Sequence, residues 1–95
     1  MVAEDQLEIK FKAISHQKRI DIIKFISKEQ QNVAFLKILE EFNIKQSKLS
    51  YHLKILLNAH FIKASFIGRH SYYEINEIEI KNYLSTQAYS VLTGQ

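Results

Sequence analysis

The spacing of apolar residues changes character at one place in this chain, and that change restricts the fold more than any other feature. Through residue 58 the apolar side chains recur at three- and four-residue intervals, the period of helices that bury one face. In "FIKASFIGRHSYYEI", residues 61–75, β-branched and aromatic residues gather around Gly68. That pattern predicts a hairpin with its tip at Gly68-Arg69. From Asn76 the helical period returns. There is no proline, only two glycines, and no low-complexity linker or internal repeat. The 95 residues therefore predict a single domain, 1–95, with one modest core.

The helices can be placed from their stripes. Residues 5–14 put Leu7, Phe11 and Ile14 on one side, and residues 17–27 place Ile20, Ile23 and Ile26 among charges, with Ser15 or His16 at the cap. "KEQQN" is a polar break. A third helix over 34–42 buries Phe35, Ile38, Leu39 and Phe42, and Asn43 follows as a residue that tolerates the left-handed stop. The fourth helix covers 46–58. Beyond the hairpin, Ile80, Tyr83, Leu84, Val91 and Leu92 form a stripe on a helix over 77–92. The expected fold is mainly α (α+β), in the order α-α-α-α-β-β-α. Two helices at 34–58 joined by a three-residue turn have helix-turn-helix spacing, and a wing over 61–76 makes a winged helix-turn-helix.

The fourth helix has an unusual outer face. Ser47, Ser50, Tyr51 and Lys54 fall at i, i+3, i+4 and i+7, while Leu49, Leu53 and Leu56 take the other side with His52 at its edge. No acid lies on that outer face. Residues 1–41 are net neutral, 42–73 hold Lys45, Lys48, Lys54, Lys63 and Arg69 with no acid, and 74–95 are net −2. A basic block inside folded sequence suits a polyanion, although a merely solvated face would also account for the charge. In helix-turn-helix geometry the second helix enters the major groove of double-stranded DNA. Serine hydroxyls suit either base edges or phosphate, the Gln46 amide can pair with adenine, and lysine neutralises phosphate.

Composition narrows the alternatives. Without cysteine there is no disulfide, thiolate metal site or cysteine nucleophile. No run approaches the roughly 18 apolar residues of a membrane span, and the acidic "MVAEDQLEIK" is no secretory signal, so a cytoplasmic protein with no membrane partner is expected. No Ser–His–acid constellation, glycine-rich phosphate loop or specific carboxylate pair points to an enzyme. His52 reads as a satisfied core histidine and His16 as a local helix-start partner. Of Tyr72 and Tyr73, alternation buries one and leaves the other half-exposed.

Three segments together resemble a known family. "KAISHQKRIDIIKFI" is similar to "ALSHPTRLRIL", "IKQSKLSYHLKILLNAHFI" to "LSQSTVSHHLKVLREAGLV", and "GRHSYYEI" to "GRxxYYxL". These are segments of the ArsR-type (ArsR/SmtB, arsenic-repressor-like) winged-helix regulators, and the likeness covers residues 12–75. It implies a homodimeric, operator-binding transcriptional regulator, usually a repressor. Gln46, Ser47, Ser50 and Tyr51 match the recognition-helix contacts, and Lys45, Lys48 and Lys54 extend that surface. Gly68 and Arg69 match the wing tip, with His70 beside them.

The resemblance also implies a dimer interface from the first and last helices, here Leu7, Phe11, Tyr83, Leu84 and Val91. Such a dimer places two recognition helices about one DNA turn, ~34 Å, apart on an inverted-repeat operator. The chain departs from the family at its metal sites. The family's cysteine pair aligns on Ala34 and Leu36, and the last helix offers Glu77 and Glu79 but no histidine, so neither metal nor cofactor is expected. Lys45 stands where a capping serine is usual. His60 replaces a glycine where a left-handed residue is needed. The rival reading is a winged-helix interaction module whose basic segment meets an acidic protein partner.

Overall fold

A computed structural model of the chain describes residues 4–84, with side chains described from Leu7 onward. Along that span run α1 (Glu4–Ile14), α2 (Gln17–Lys28), β1 (Val33–Ala34), α3 (Phe35–Phe42), α4 (Gln46–Asn58), β2 (Ile62–Ile67), β3 (His70–Ile75) and α5 (Glu77–Tyr83). The expected order is present with one addition, the strand β1. It pairs antiparallel with β3, Val33 opposite Tyr73 and Ala34 opposite Tyr72, in a sheet ordered β1-β3-β2. Two residues carry too little alternation to announce a strand, and the partner arrives only after α3, α4 and β2.

Helix ends follow local chemistry. α2 starts at His16, whose extended backbone (φ −127°, ψ 124°) lets Nδ1 accept from the Lys18 N–H at 3.2 Å. α3 stops at left-handed Asn43 (φ 47°), whose N–H donates to the Leu39 carbonyl at 3.0 Å. Lys45 opens α4 from an extended backbone without a side-chain cap. His60 does adopt the left-handed conformation, at φ 63°. Its N–H donates to the Leu57 carbonyl at 2.9 Å, and the Phe61 N–H reaches back to the Leu56 carbonyl at 3.1 Å. That bond pair is a Schellman cap, and Leu56 and Phe61 are both fully buried in the core beneath it.

The core sits where α2, α3, α4, the base of the hairpin and α5 converge. Ile22, Ile23, Ile38, Leu49, Leu56, Phe61 and Ile80 are all fully buried. Each such side chain contributes about 1.5–3 kcal/mol by leaving water. The buried stripe of α2 is Arg19, Ile22, Ile23 and Ile26, at i, i+3, i+4 and i+7, so Ile20 lies at its edge rather than its centre.

The hairpin is in register from Ile62 opposite Ile75 to Ile67 opposite His70, which leaves Gly68-Arg69 as a two-residue turn. Gly68 has φ 60° and Arg69 is not left-handed, the φ pattern of a type II′ turn. Tyr73 is buried and Tyr72 half-buried, as alternation requires.

α5 ends at Tyr83, where Leu84 turns extended (φ −107°, ψ 152°), short of the continuous helix expected over 77–92. Val91 and Leu92 lie outside the described residues. Among the described residues no helix is long and apolar enough to cross a membrane.

Candidate nucleic-acid interface

The turn between α3 and α4 presents one whole side of α4 to solvent. Lys45, Gln46, Ser47, Lys48, Ser50, Tyr51 and Lys54 are all exposed, while Leu49, His52, Leu53 and Leu56 anchor the opposite side. At the wing, Gly68, Arg69 and His70 are exposed as well. The two surfaces meet. Gln46 and Ser50 share an open cleft of about 380 Å³ with Arg69, His70 and Ser71, also lined by Phe35 and Leu36 from the start of α3. Lys45, Ser47, Lys48, Tyr51 and Lys54 do not line that cleft.

The positive charge on this surface is uncompensated. Ion pairs among the described residues join Lys10 to Glu79, Lys37 to Glu29 and Lys63 to Glu74. Lys45, Lys48, Lys54 and Arg69 have no carboxylate partner there. A row of unpaired cations beside hydroxyl and amide groups supplies phosphate neutralisation together with hydrogen-bonding side chains.

α4 is held in place by a buried polar node. His52 is 4% exposed and Arg19 5% exposed. Arg19 Nη1 lies 3.1 Å from His52 Nδ1, Nε donates to the Ala13 carbonyl at 3.0 Å, and Nη2 donates to the Lys12 carbonyl at 2.8 Å. Those carbonyls belong to the last turn of α1, the negative end of its dipole. Burial lowers the His52 pKa, with Arg19, His16, Lys48 and Lys18 pushing the same way. The ring is therefore neutral at pH 7. Because a guanidinium only donates, Nδ1 is the acceptor and Nε2 carries the proton.

His52 is thus the satisfied core histidine its position suggested. Arg19 went unnoticed, although its place in the stripe with Ile22, Ile23 and Ile26 was the available signal. Lys10 was missed too. It is 6% exposed, hydrogen-bonds the Ala59 carbonyl, pairs with Glu79 at 3.2 Å and lies over the Phe61 ring at 4.8 Å. α1, the end of α4 and α5 are tied together at that one ammonium.

The expected interface residues divide into two groups. Phe11 is 63% exposed and Leu7 39%, but Tyr83 and Leu84 are half-buried and packed against the chain's own core. Phe11 meets Tyr83 edge-on at 5.8 Å. Of the two aliphatic side chains aligned with the family's cysteines, Ala34 is half-buried at the α3 cap and Leu36 stands exposed beside the cleft. Among the described residues no group of three or more His, Asp or Glu side chains could hold a metal ion.

A two-helix unit whose second helix has an acid-free outer face, followed by a hairpin that shares its cleft, defines the chain as a winged helix-turn-helix domain of the DNA-binding class. The family is equally clear. The chain belongs to the ArsR family of bacterial regulatory proteins, whose model matches residues 16–64. It is 41% identical over 80 residues to the arsenical resistance operon repressor of Bacillus subtilis (strain 168), covering 84% of this chain and 75% of that one.

Among solved structures it superposes on the homodimeric winged helix-turn-helix DNA-binding domain of a possible ArsR-family transcriptional regulator from Mycobacterium bovis. The TM-score is 0.76 at 20% identity, over 96% of this chain and 91% of that one. The transcriptional repressor PagR of Bacillus anthracis matches at TM-score 0.66 and 19% identity, over 93% and 90%. These two likenesses concern the fold. The protein is a transcriptional regulator and not an enzyme.

Proposed function

We propose that this protein is a homodimeric repressor that binds an inverted-repeat operator in duplex DNA without needing a metal or another cofactor, in the cytoplasm where that DNA lies. The observation that carries the reading is the shared cleft. Gln46 and Ser50 line it from α4 and Arg69 and His70 from the wing, while the unpaired Lys45, Lys48 and Lys54 lie outside it on the same helix. Gln46 and Ser50 read base edges in the major groove, with Ser47 and Tyr51 beside them. Lys45, Lys48, Lys54, Arg69 and His70 hold phosphates, and Gly68 lets the wing turn tightly at the backbone.

Dimerisation is supported by the exposed Leu7 and Phe11 on α1 and by the homodimeric relative in Mycobacterium bovis. Tyr83, Leu84 and Val91 complete the interface in this reading. Five basic residues on one copy make few phosphate contacts, and a two-fold axis doubles them. Metal independence is supported by Ala34 and Leu36, because aliphatic side chains cannot replace thiolate ligands. Selection of bound fragments from random duplex DNA tests the whole reading. Recovered fragments should share an inverted repeat with half-sites about one helical turn apart. Recovery of no common sequence would overturn it.

A further inference from the structure

The wing carries apolar surface that the recognition helix does not explain. Phe66 is 74% exposed and Ile67 65% exposed, side by side just before the Gly68-Arg69 turn. Along one face of β2, exposure climbs from buried Ile62 through half-buried Ala64 to Phe66, so that face runs off the body of the domain toward the tip. Phe66 pairs with Ser71, and Ala64 with Tyr73. Paired residues in a ladder share a face, and Ser71 and Tyr73 both line the cleft shared with Gln46 and Ser50. Phe66 therefore lies on the recognition-helix side of the wing, farther out than the cleft. The ladder and the two-residue turn hold it there.

Its surroundings identify the occupant. From Ala64 to Tyr73 there is no carboxylate, Arg69 stands at the tip three residues beyond Phe66, and His70 pairs with Ile67 on the other face of the ladder. An exposed aromatic ring in an acid-free hairpin tipped by an arginine, continuous with the cleft that Gln46 and Ser50 line, is complementary to a duplex and not to an acidic peptide alone. The phosphates meet the cations, and the stacked bases offer the ring an apolar slot.

We propose that Phe66 is a minor-groove wedge. With Arg69 and His70 on nearby phosphates, the ring enters at a base step, partly unstacks it and bends the duplex away from the wing, toward the major groove at that step. Apolar side chains at such positions kink DNA in this way, and pyrimidine–purine steps yield most readily. The protein then prefers such a step where the wing sits, outside the bases that Gln46 and Ser50 touch. The wedge rests on the DNA-binding reading above.

The test uses the full chain and a duplex recovered by selection, with 2-aminopurine placed at successive steps and dyes at the ends. Wild type should brighten 2-aminopurine at one step per half-site and shorten the end-to-end distance. Phe66→Ala should abolish both signals and weaken binding by about tenfold or more, the range expected when one stacked aromatic is lost. Its salt slope should stay unchanged, because no charge is removed. Phe66→Leu, still an apolar wedge, should retain most of the bend. The exposed site leaves folding intact, which thermal unfolding of each variant checks.

Wild type that binds duplex without brightening any step sinks the wedge alone. So does Phe66→Ala that bends DNA normally, or wild type that self-associates through Phe66. Wild type with no salt-dependent duplex binding sinks the DNA-binding reading together with the wedge.

Discussion

Arg19 on α2 and His52 on α4 form a buried contact, Nη1 to Nδ1 at 3.1 Å, that joins α4 to the rest of the domain. His52 is two residues from Ser50 and one from Tyr51, so the node sits behind the exposed face of α4 that is proposed to read bases. Arg19 at the same time occupies the carbonyls of Lys12 and Ala13 at the end of α1. Removing it strips His52 Nδ1 and the Ala13 carbonyl of a donor in a nearly dry site, while the Lys12 carbonyl keeps the Ser15 hydroxyl. Arg19→Met should destabilise the fold by about 2–4 kcal/mol, read from urea unfolding. Arg19→Lys should recover only part, since one ammonium cannot reproduce the planar fork.

The same node makes stability depend on pH. In the fold the His52 pKa lies below its ordinary 6.5, so on acidification the unfolded chain takes up the proton first. Stability from the neutral ring is complete above about 6.5 and is lost as pH falls through the folded-state value. Denaturant midpoints should drop over that acid range in wild type. In His52→Gln, which lacks the titrating group, the drop should be shallower. Equal slopes in the two proteins would place the acid sensitivity elsewhere.

Base reading and phosphate holding should separate under mutation. Ser50→Ala or Gln46→Ala should each cost about 1–3 kcal/mol on the preferred duplex and relax sequence preference. Arg69→Ala should weaken all duplexes more evenly and flatten the salt slope by about one unit. Competition binding across a panel of operators at several salt concentrations distinguishes them. The reverse pattern would move recognition from α4 to the wing.

Phe11 and Leu84 should respond differently to an introduced charge. Phe11 is 63% exposed, so Phe11→Asp should leave the fold standing and split the dimer. Leu84 packs on the chain's own core, so Leu84→Asp should destabilise the fold as well as the dimer. Sedimentation and thermal unfolding read the two effects apart. A Phe11→Asp protein that stays dimeric would remove α1 from the interface.

His60 holds a left-handed backbone that suits glycine. Replacing it should relieve about 1 kcal/mol of strain, partly offset by the entropy glycine loses on folding. His60→Gly should therefore be neutral to modestly stabilised in its urea midpoint, with operator affinity unchanged. His60→Val, branched at Cβ, should be clearly destabilised at the same site.

Zinc, copper or arsenite titrated into the protein–DNA complex should leave affinity unchanged, because Ala34 and Leu36 offer no donor atom. Stoichiometric release by any of these metals, read from fluorescence anisotropy of labelled operator, would contradict metal-independent binding.

What could be read from residues alone was whatever depends on near neighbours in the chain. Helical and alternating periods, the left-handed stops at Asn43 and His60, and the Gly68-Arg69 tip are set by local backbone geometry and short-range hydrogen bonds. The acid-free face of α4 was legible for the same reason, since i, i+3, i+4 and i+7 always share a side. Tertiary structure decided the rest. The two-residue β1 exists only because β3 is there to pair with it. Arg19 finds His52 33 residues away, and Lys10 finds Glu79 69 residues away. Which half of the interface stripe is spent on the core, and the junction of Gln46 and Ser50 with Arg69 and His70 in one cleft, depend likewise on how the elements pack. No local period encodes such meetings. A polar side chain acquires its partner only when the closing core brings distant backbone within 3 Å or so, the range at which a hydrogen bond forms.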